Sequence, residues 1–352
     1  MRIYALWCIA MQFDQLTVGV IGGSGFAGIE LLRLAASHPR LDVAWATGES
    51  MAGQAIADVY PALAAAHPDD VFVSYDPGLL DGVDLVVLGL PHGASQALMP
   101  ELVSTVGLVV DLAADFRHRD ASVYDDWYGE AHLCPELLSD FVYGLPELYR
   151  EEIAGATRVA APGCYPTSAI LPLAPLVRAG HIDPRRVVVD AACGVSGAGR
   201  PPKPTTTFCA VDENFAAYGV IDHRHTPEME THSGATVLFT PHLLPTNRGI
   251  LSTCYGDLAS GADTADVLQC LADAYADEPF IVVSERLPST KAVQGSNCAH
   301  LTARVDPRTG TVLAFGAIDN LVKGTAGQAI QCINLMAGWA ETTALPRLGL
   351  MP

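Results

Sequence analysis

The chain of 352 residues is half hydrophobic and only 17% charged, which excludes a disordered or low-complexity protein and supplies enough apolar material for two cores. With 20 basic against 39 acidic residues the formal net charge is −19, so the chain is not built to coat nucleic acid or an anionic membrane. Any anionic ligand has to be met by a local cluster of its few cations, which include only three lysines, Lys203, Lys291 and Lys323.

The opening stretch MRIYALWCIAM carries one arginine and a short apolar run. No small-residue cleavage site follows and a strand begins almost at once, so residues 1–10 read as an N-terminal extension and Met11 as the true start. No apolar run reaches the roughly 18 residues needed to cross a bilayer. Residues 17–23 (TVGVIGG) predict a buried strand, and residues 26–37 follow with apolar side chains at helical spacing until His38-Pro39 stops them. Strands are expected at 41–47, 84–90 and 107–112, with a helical segment between the last two. This alternation predicts an α/β fold, a Rossmann-type doubly wound parallel sheet, over the first ~160 residues. The pattern then changes. Strands at 186–193, 235–240, 250–257, 279–283, 297–305 and 311–319 leave little room for crossover helices, and one helix is expected at 264–276. That predicts an α+β second domain with a mixed or antiparallel sheet, followed by a last helix over about 324–338.

Gly22, Gly25 and Gly28 form G-x-x-G-x-x-G between the first strand and first helix. Glycines there permit a tight turn and close approach of main-chain N–H groups to a pyrophosphate at a helix N-terminus. Gly22, Ser24, Gly25, Phe26 and Gly28 are therefore the candidate cofactor loop. The second strand ends in Thr47-Gly48-Glu49-Ser50, where Glu49 suits a free ribose 2′-hydroxyl and Ser50 suits a 2′-phosphate, so this segment leaves NAD and NADP both open.

Residues 161–167 (APGCYPT) put Cys164 directly after a Pro-Gly break and at the start of an apolar helix. Unpaired N–H groups at that point stabilise a thiolate, and Pro166 fits a first turn where no N–H partner is lost. Cys164 is the candidate nucleophile; the other eight cysteines read as buried and inert, a pattern that fits a reducing cytoplasm, and the absence of any C-x-x-C pair argues against a disulfide scaffold or zinc ribbon. Residues 222–228 (DHRHTPE) place His223 and His225 around Arg224, and either imidazole could take the thiol proton. A metal is the rival reading of H-x-H, with His232 and His242 as further ligands, but no acidic or cysteine ligand has matching spacing, so no metal is expected.

A second glycine loop, residues 194–200 (GVSGAGR), is followed by Lys203 and suits an anion or the nicotinamide end of a cofactor, with Ser196 and Gly197 as contacts. Arg117 directly follows a strand, Arg248 enters one, Arg200 and Lys203 follow the second glycine loop, Arg224 sits between the two histidines and Lys323 lies in GAIDNLVKGTAGQ, which reads as cations kept for phosphate and carboxylate. Arg117, Arg200 and Arg248 are the candidate substrate-binding residues, and at least two of the six cations are expected to be ordinary surface salt bridges.

At GGSGFAGIELLRL (22–34), DLAADFR (111–117), APGCYPT, GVSGAGR, HRHTPEM (223–229), RGIL (248–251) and DNLVKGTAGQAIQ (319–331) the chain resembles the N-acetyl-gamma-glutamyl-phosphate reductases of arginine biosynthesis, nearly end to end. GCYPT with HRHTPE separates that group from the related aspartate-semialdehyde dehydrogenases. The resemblance implies NADPH, with NAD not excluded because Glu49 departs from the family's Ser/Arg-containing stretch. It implies a small acyl phosphate as substrate and a cytoplasmic homo-oligomer, a dimer or tetramer. It implies a glyceraldehyde-phosphate-dehydrogenase-like α+β C-terminal domain and a last helix that returns to the nucleotide domain. The expected division is 11–162 with 323–352 as the NADP-binding domain and 163–322 as the catalytic and oligomerisation domain. It also makes Cys164 the catalytic cysteine, His223 the favoured acid–base with His225 close behind, and Asn320 a cofactor contact. Two alternatives stand beside it. A relative acting on an aminoadipyl phosphate carried by an acidic protein is opposed by the net charge. A catalytically silent nucleotide sensor is opposed by retention of Cys164 with the histidine pair.

Overall fold

The computed structural model describes residues 13–350; the expected extension and Met11 lie outside the described residues. Six strands form a wholly parallel sheet in the order β2-β1-β3-β4-β6-β5: β1 (Leu16–Ile21), β2 (Leu41–Ala46), β3 (Leu85–Leu88), β4 (Leu108–Asp111), β5 (Val142–Tyr143) and β6 (Arg158–Ala160). Strands β3 and β4 are buried at every position, which is why LVVL and LVVD read as continuous apolar runs rather than alternating ones. The short strands β5 and β6 were not foreseen, because two or three residues carry no period.

Seven strands form a second, mixed sheet in the order β11-β12-β13-β10-β7-β9-β8: β7 (Ile182–Gly194), β8 (Ala216–Ala217), β9 (Val237–Leu244), β10 (Ile250–Leu258), β11 (Ile281–Val283), β12 (Ala299–Asp306) and β13 (Thr311–Ile318). Its pairs are antiparallel except β7 with β9 and β11 with β12. Strand β11 starts later than the expected 279 because Pro279 has no N–H to give a ladder. The helices Cys164–Arg178 and Thr264–Ala274 lie on one face of this sheet and share its core through Ala169, Leu173, Val267 and Leu271. The helix Cys164–Arg178 is apolar nearly all round, as a fully buried helix must be. Pro172 leaves the Ser168 carbonyl without its helical donor, and the sheet packs tightly there: a Cβ on Gly316 of β13 would lie 2.1 Å from that carbonyl.

The expected last helix is two pieces, a π-turn at Val322–Ala326 and the helix Gly327–Met336. Ala329, Ile330, Ile333 and Met336 share a core with Leu16, Val18, Leu32 and Val110 of the first sheet's layer. The π-turn brings Gly324 onto Cys164, where an added Cβ would lie 2.8 Å from the cysteine Cβ. No helix among the described residues is long and apolar enough to cross a membrane.

Candidate active site

The strand order reverses around β1, whose neighbours are β2 and β3, and the first glycine loop leaves β1 at this switch point. Gly22 has φ +81°, and a Cβ there would lie 2.5 Å from the Gly89 carbonyl that follows β3. A Cβ on Gly28 would lie 2.5 Å from both the Gly22 carbonyl and Gly23 Cα. Gly25 is held by its N–H donating to the Gly22 carbonyl at 3.1 Å, and it precedes the helix Phe26–Ala35, which has no acidic residue in its first turn. This is a main-chain cradle with a positive helix end and no side chain filling it, and it fits a nucleotide pyrophosphate. Ser24 lies at the loop's outer edge, its carbonyl accepting from the Tyr60 hydroxyl at 2.7 Å. Ser50 is exposed on the turn Glu49–Met51, and Glu49 Oε1 accepts the Tyr75 N–H at 3.3 Å.

At the other end of the cleft, Asn320 joins the second glycine loop to β10. Its Nδ2 donates to Ser196 Oγ at 2.9 Å and its Oδ1 accepts the Gly249 N–H at 2.8 Å. Gly197 packs on Cys193, where a Cβ would lie 2.8 Å from the sulfur. Ser196, Gly197 and Asn320, chosen from segments more than a hundred residues apart, are thus one cluster.

Cys164 opens its helix as expected and keeps part of its surface exposed. The neighbouring Cys193 thiol, the Arg117 charge and the Tyr165 N–H together lower the Cys164 pKa against the upward push of burial. The same neighbour, with burial, raises Cys193 far above the ordinary thiol range. The Cys193 thiol itself donates to the Gly194 carbonyl at 3.1 Å, so it is a fixed neutral neighbour of the nucleophile. Only the pairing of β7 with its neighbours puts it there, and no local pattern could have revealed this.

Behind the cysteine lies a carboxylate the sequence reading used only as a helix start. Glu228 is fully buried; its Oε1 accepts the Gly163 N–H and the Tyr143 hydroxyl, both at 2.7 Å, and its Oε2 lies 3.3 Å from Arg117 Nη1. Arg117 also donates to the carbonyls of Ala161 and Leu112 at 2.8 and 2.9 Å. Arg117 and Glu228 together clamp the turn that presents Cys164.

Both histidines face a cavity of about 1010 Å³ between the two sheets, with Arg117, Lys203, Arg224 and His92 as its cationic or titratable walls and Asp222 as its acid. His225 is the closer to the cysteine turn: a Cβ on Gly163 would lie 2.5 Å from its Nε2. His223 Nδ1 accepts the His225 N–H at 3.2 Å, and the two rings are 4.8 Å apart. Burial holds His223 down to about 4 and His225 well below the ordinary imidazole range, so both are neutral near pH 7. His92, absent from the sequence reading, is paired with Asp115 and, at 3.0 Å, with Glu130. Burial notwithstanding, hydrogen bonds from His92, Ser95 and Gly93 hold Asp115 at about 2.

The six cations part ways. Lys203 and Arg224 line the cavity, and Arg224 lies 5.2 Å from the Tyr128 ring centre. Two of the candidate substrate-binding arginines stand elsewhere. Arg248 reaches Glu30 Oε2 of the helix Phe26–Ala35 at 2.7 Å and Asp319 at 3.6 Å, a tie between the two halves of the chain. Arg200 turns back towards Met51 and Tyr60. Lys323 is fully buried, donating to Glu147 at 2.6 Å and Gln331 at 2.9 Å. Three of the six, Arg117, Arg248 and Lys323, are therefore ion pairs, all of them buried or half-buried rather than on the surface.

Residues 17–156 match the family described as semialdehyde dehydrogenase, NAD binding domain, and residues 164–320 the one described as semialdehyde dehydrogenase, dimerisation domain. The N-acetyl-gamma-glutamyl-phosphate reductase of Magnetococcus marinus is 46% identical over 350 residues, covering 96% of this chain and 99% of the relative. That of Geobacter sp. (strain M21) is 47% identical over 348 residues, covering 96% and 100%. Among solved structures, aspartate semialdehyde dehydrogenase II of Vibrio cholerae, complexed with ASA, superposes with a TM-score of 0.70 at 18% identity, covering 93% of this chain and 99% of that one. Aspartate semialdehyde dehydrogenase of Candida albicans with NADP gives 0.68 at 17%, covering 94% and 99%. At these identities the two structures establish a shared two-domain fold.

Proposed function

The chain belongs to the N-acetyl-gamma-glutamyl-phosphate reductases, and from that premise we propose that it reduces N-acetyl-γ-glutamyl phosphate to N-acetylglutamate 5-semialdehyde and phosphate, a step of arginine biosynthesis, through a thioester on Cys164. The observation that carries this reading is the setting of Cys164. It lies at a helix start, its pKa is lowered by its Cys193 neighbour, the Arg117 charge and the Tyr165 N–H, and the turn before it packs on His225, which lines a cavity rich in cations.

Neutral His225 accepts the thiol proton, and the thiolate attacks the acyl carbon. The C–O bond to phosphate breaks, and His225 returns the proton to the departing phosphate oxygen. Lys203, Arg224 and Arg117 hold the phosphate and carboxylate charges, with Lys203 and Arg224 taking the place expected for Arg200 and Arg248. The nicotinamide cofactor, when bound, supplies hydride to the thioester carbon. The C–S bond then breaks, the aldehyde leaves, and Cys164 is released as the thiolate, which regains its proton from solvent. Gly22, Ser24, Gly25, Phe26 and Gly28 hold the cofactor's pyrophosphate end, and Ser196, Gly197 and Asn320 its nicotinamide end; NADP(H) is the proposed cofactor. Of the described residues, 13–162 with 323–350 form its nucleotide-binding domain, and 163–322 the catalytic domain.

A second copy of the chain is the proposed partner. The sheet face opposite the helices Cys164–Arg178 and Thr264–Ala274 leaves Val188, Thr253, Tyr255 and Phe315 half-buried and Leu238 exposed, within the segment matched by the dimerisation domain.

The reverse reaction tests the assignment. Purified protein given N-acetylglutamate semialdehyde, phosphate and NADP or NAD develops the absorbance of reduced nicotinamide, and aspartate semialdehyde in its place gives none. Turnover of aspartate semialdehyde alone would refute the substrate.

A further inference from the structure

We propose that Arg200, carried by the second glycine loop, is the cation that recognises the 2′-phosphate of NADP, reaching across the cleft to the adenosine-ribose edge of the first sheet. This rests on the reading of the chain as a nicotinamide-dependent reductase and names what selects its cofactor.

Arg200 Nη2 lies 3.5 Å from Met51 Sδ, and the guanidinium lies 5.8 Å from the Tyr60 ring centre. Met51 closes the turn Glu49–Met51 that follows β2, the place where a Rossmann sheet meets the adenosine ribose. The Tyr60 hydroxyl donates to the Ser24 carbonyl, so the same ring is pinned to the glycine loop. Ser24 in turn sits against Gly48: a Cβ there would lie 3.0 Å from Ser24 Oγ. Arg200, Ser24 and Ser50 therefore surround one edge, although their segments are far apart in the chain.

Among the described residues, no carboxylate lies within ion-pair distance of Arg200. A guanidinium has five N–H donors, and a thioether, a π-face and the adjacent Tyr60 hydroxyl leave most of them unused. In a chain with 39 acidic residues that is an unsaturated cation, and a dianionic phosphate matches its planar fork. Glu49, the residue that argued for NAD, offers its Oε1 to the Tyr75 N–H. Its carboxylate is thus held by main chain from the neighbouring segment.

The test is equilibrium binding by calorimetry, with NADP and NAD and with the fragments 2′,5′-ADP and 5′-AMP, to the native protein, Arg200→Gln and Arg200→Lys. The native protein is expected to bind 2′,5′-ADP more tightly than 5′-AMP. Arg200→Gln weakens NADP and 2′,5′-ADP by about 10- to 100-fold, the size of one charged hydrogen-bonding contact, and leaves NAD and 5′-AMP within about twofold. Arg200→Lys recovers part of the loss. If the native protein favours 2′,5′-ADP and Arg200→Gln keeps that preference, the assignment of Arg200 falls and the NADP reading stands. Equal weakening of all four ligands would make Arg200 a strut between domains and likewise overturn it. If the native protein binds 2′,5′-ADP no better than 5′-AMP, the NADP reading itself fails, and the role of Arg200 with it.

Discussion

The two glycine-rich loops bracket the same cleft but work by different means. The loop from Gly22 to Gly28 acts through its main chain: missing Cβ atoms, N–H groups and a helix end, all within seven consecutive residues. The loop from Gly194 to Arg200 acts through what it is brought against: Asn320 on Ser196, the Cys193 sulfur on Gly197, and Met51 and Tyr60 beside Arg200. A main-chain site is robust to its surroundings and fragile to a single methyl group. A side-chain site assembled from distant segments is the reverse.

The sharpest break falls on the assembled side. Cys164→Ser keeps the packing and removes the nucleophile, so kcat is expected to drop by at least ~10⁴-fold with cofactor binding unchanged. Near-native reduction by this variant would end the covalent route. The histidine pair comes next. His225→Gln is expected to lower kcat by about 10²- to 10³-fold, whereas His223→Gln, one step further from the cysteine turn, costs under ~10-fold. The opposite order would move the acid–base role to His223. On the main-chain side, Gly28→Ala places a Cβ 2.5 Å from the Gly22 carbonyl, against backbone that cannot swing aside. Cofactor Kd should rise by about 10- to 100-fold, with a stability loss of ~1–3 kcal/mol read from denaturant midpoints.

The last effect touches neither loop and is read only through pH; it concerns β4. Burial and then the charge of Asp115 raise Asp111 from 3.8 to about 7. A carboxyl whose folded pKa is raised contributes stability that is present below pH 3.8 and lost as pH climbs through 7. Asp111→Asn removes that titration, so the variant should gain on the native protein between pH 4 and 8, by at most about 4 kcal/mol. Parallel stability–pH curves would show that Asp111 does not titrate there.

How legible all this was depends on range. The alternation of strands and helices over the first half, and the run of strands over the second, were plain because burial on two faces leaves unbroken apolar runs. Strand β5 was hidden because a two-residue strand is held by its neighbour and not by its own pattern. The division of the last helix into a π-turn and an α-helix was hidden too, since the π-turn answers to the contact of Gly324 with Cys164. Glu228 stood in view within HRHTPE, yet only the fold puts its carboxylate under Gly163.

From residue order alone came the tight glycine turn between β1 and the first helix and the position of Cys164 at the start of a helix. Both follow from neighbours within a turn of chain, where glycine, proline and N–H geometry decide the outcome. The fates of the cations came only with tertiary structure: Arg117 to Glu228, Arg248 to Glu30, Lys323 to Glu147, Arg224 and Lys203 to the cavity, Arg200 to Met51 and Tyr60. A long charged side chain takes whichever counter-charge packing brings within a few ångströms, and that partner lies tens to hundreds of residues away, beyond the reach of any local pattern.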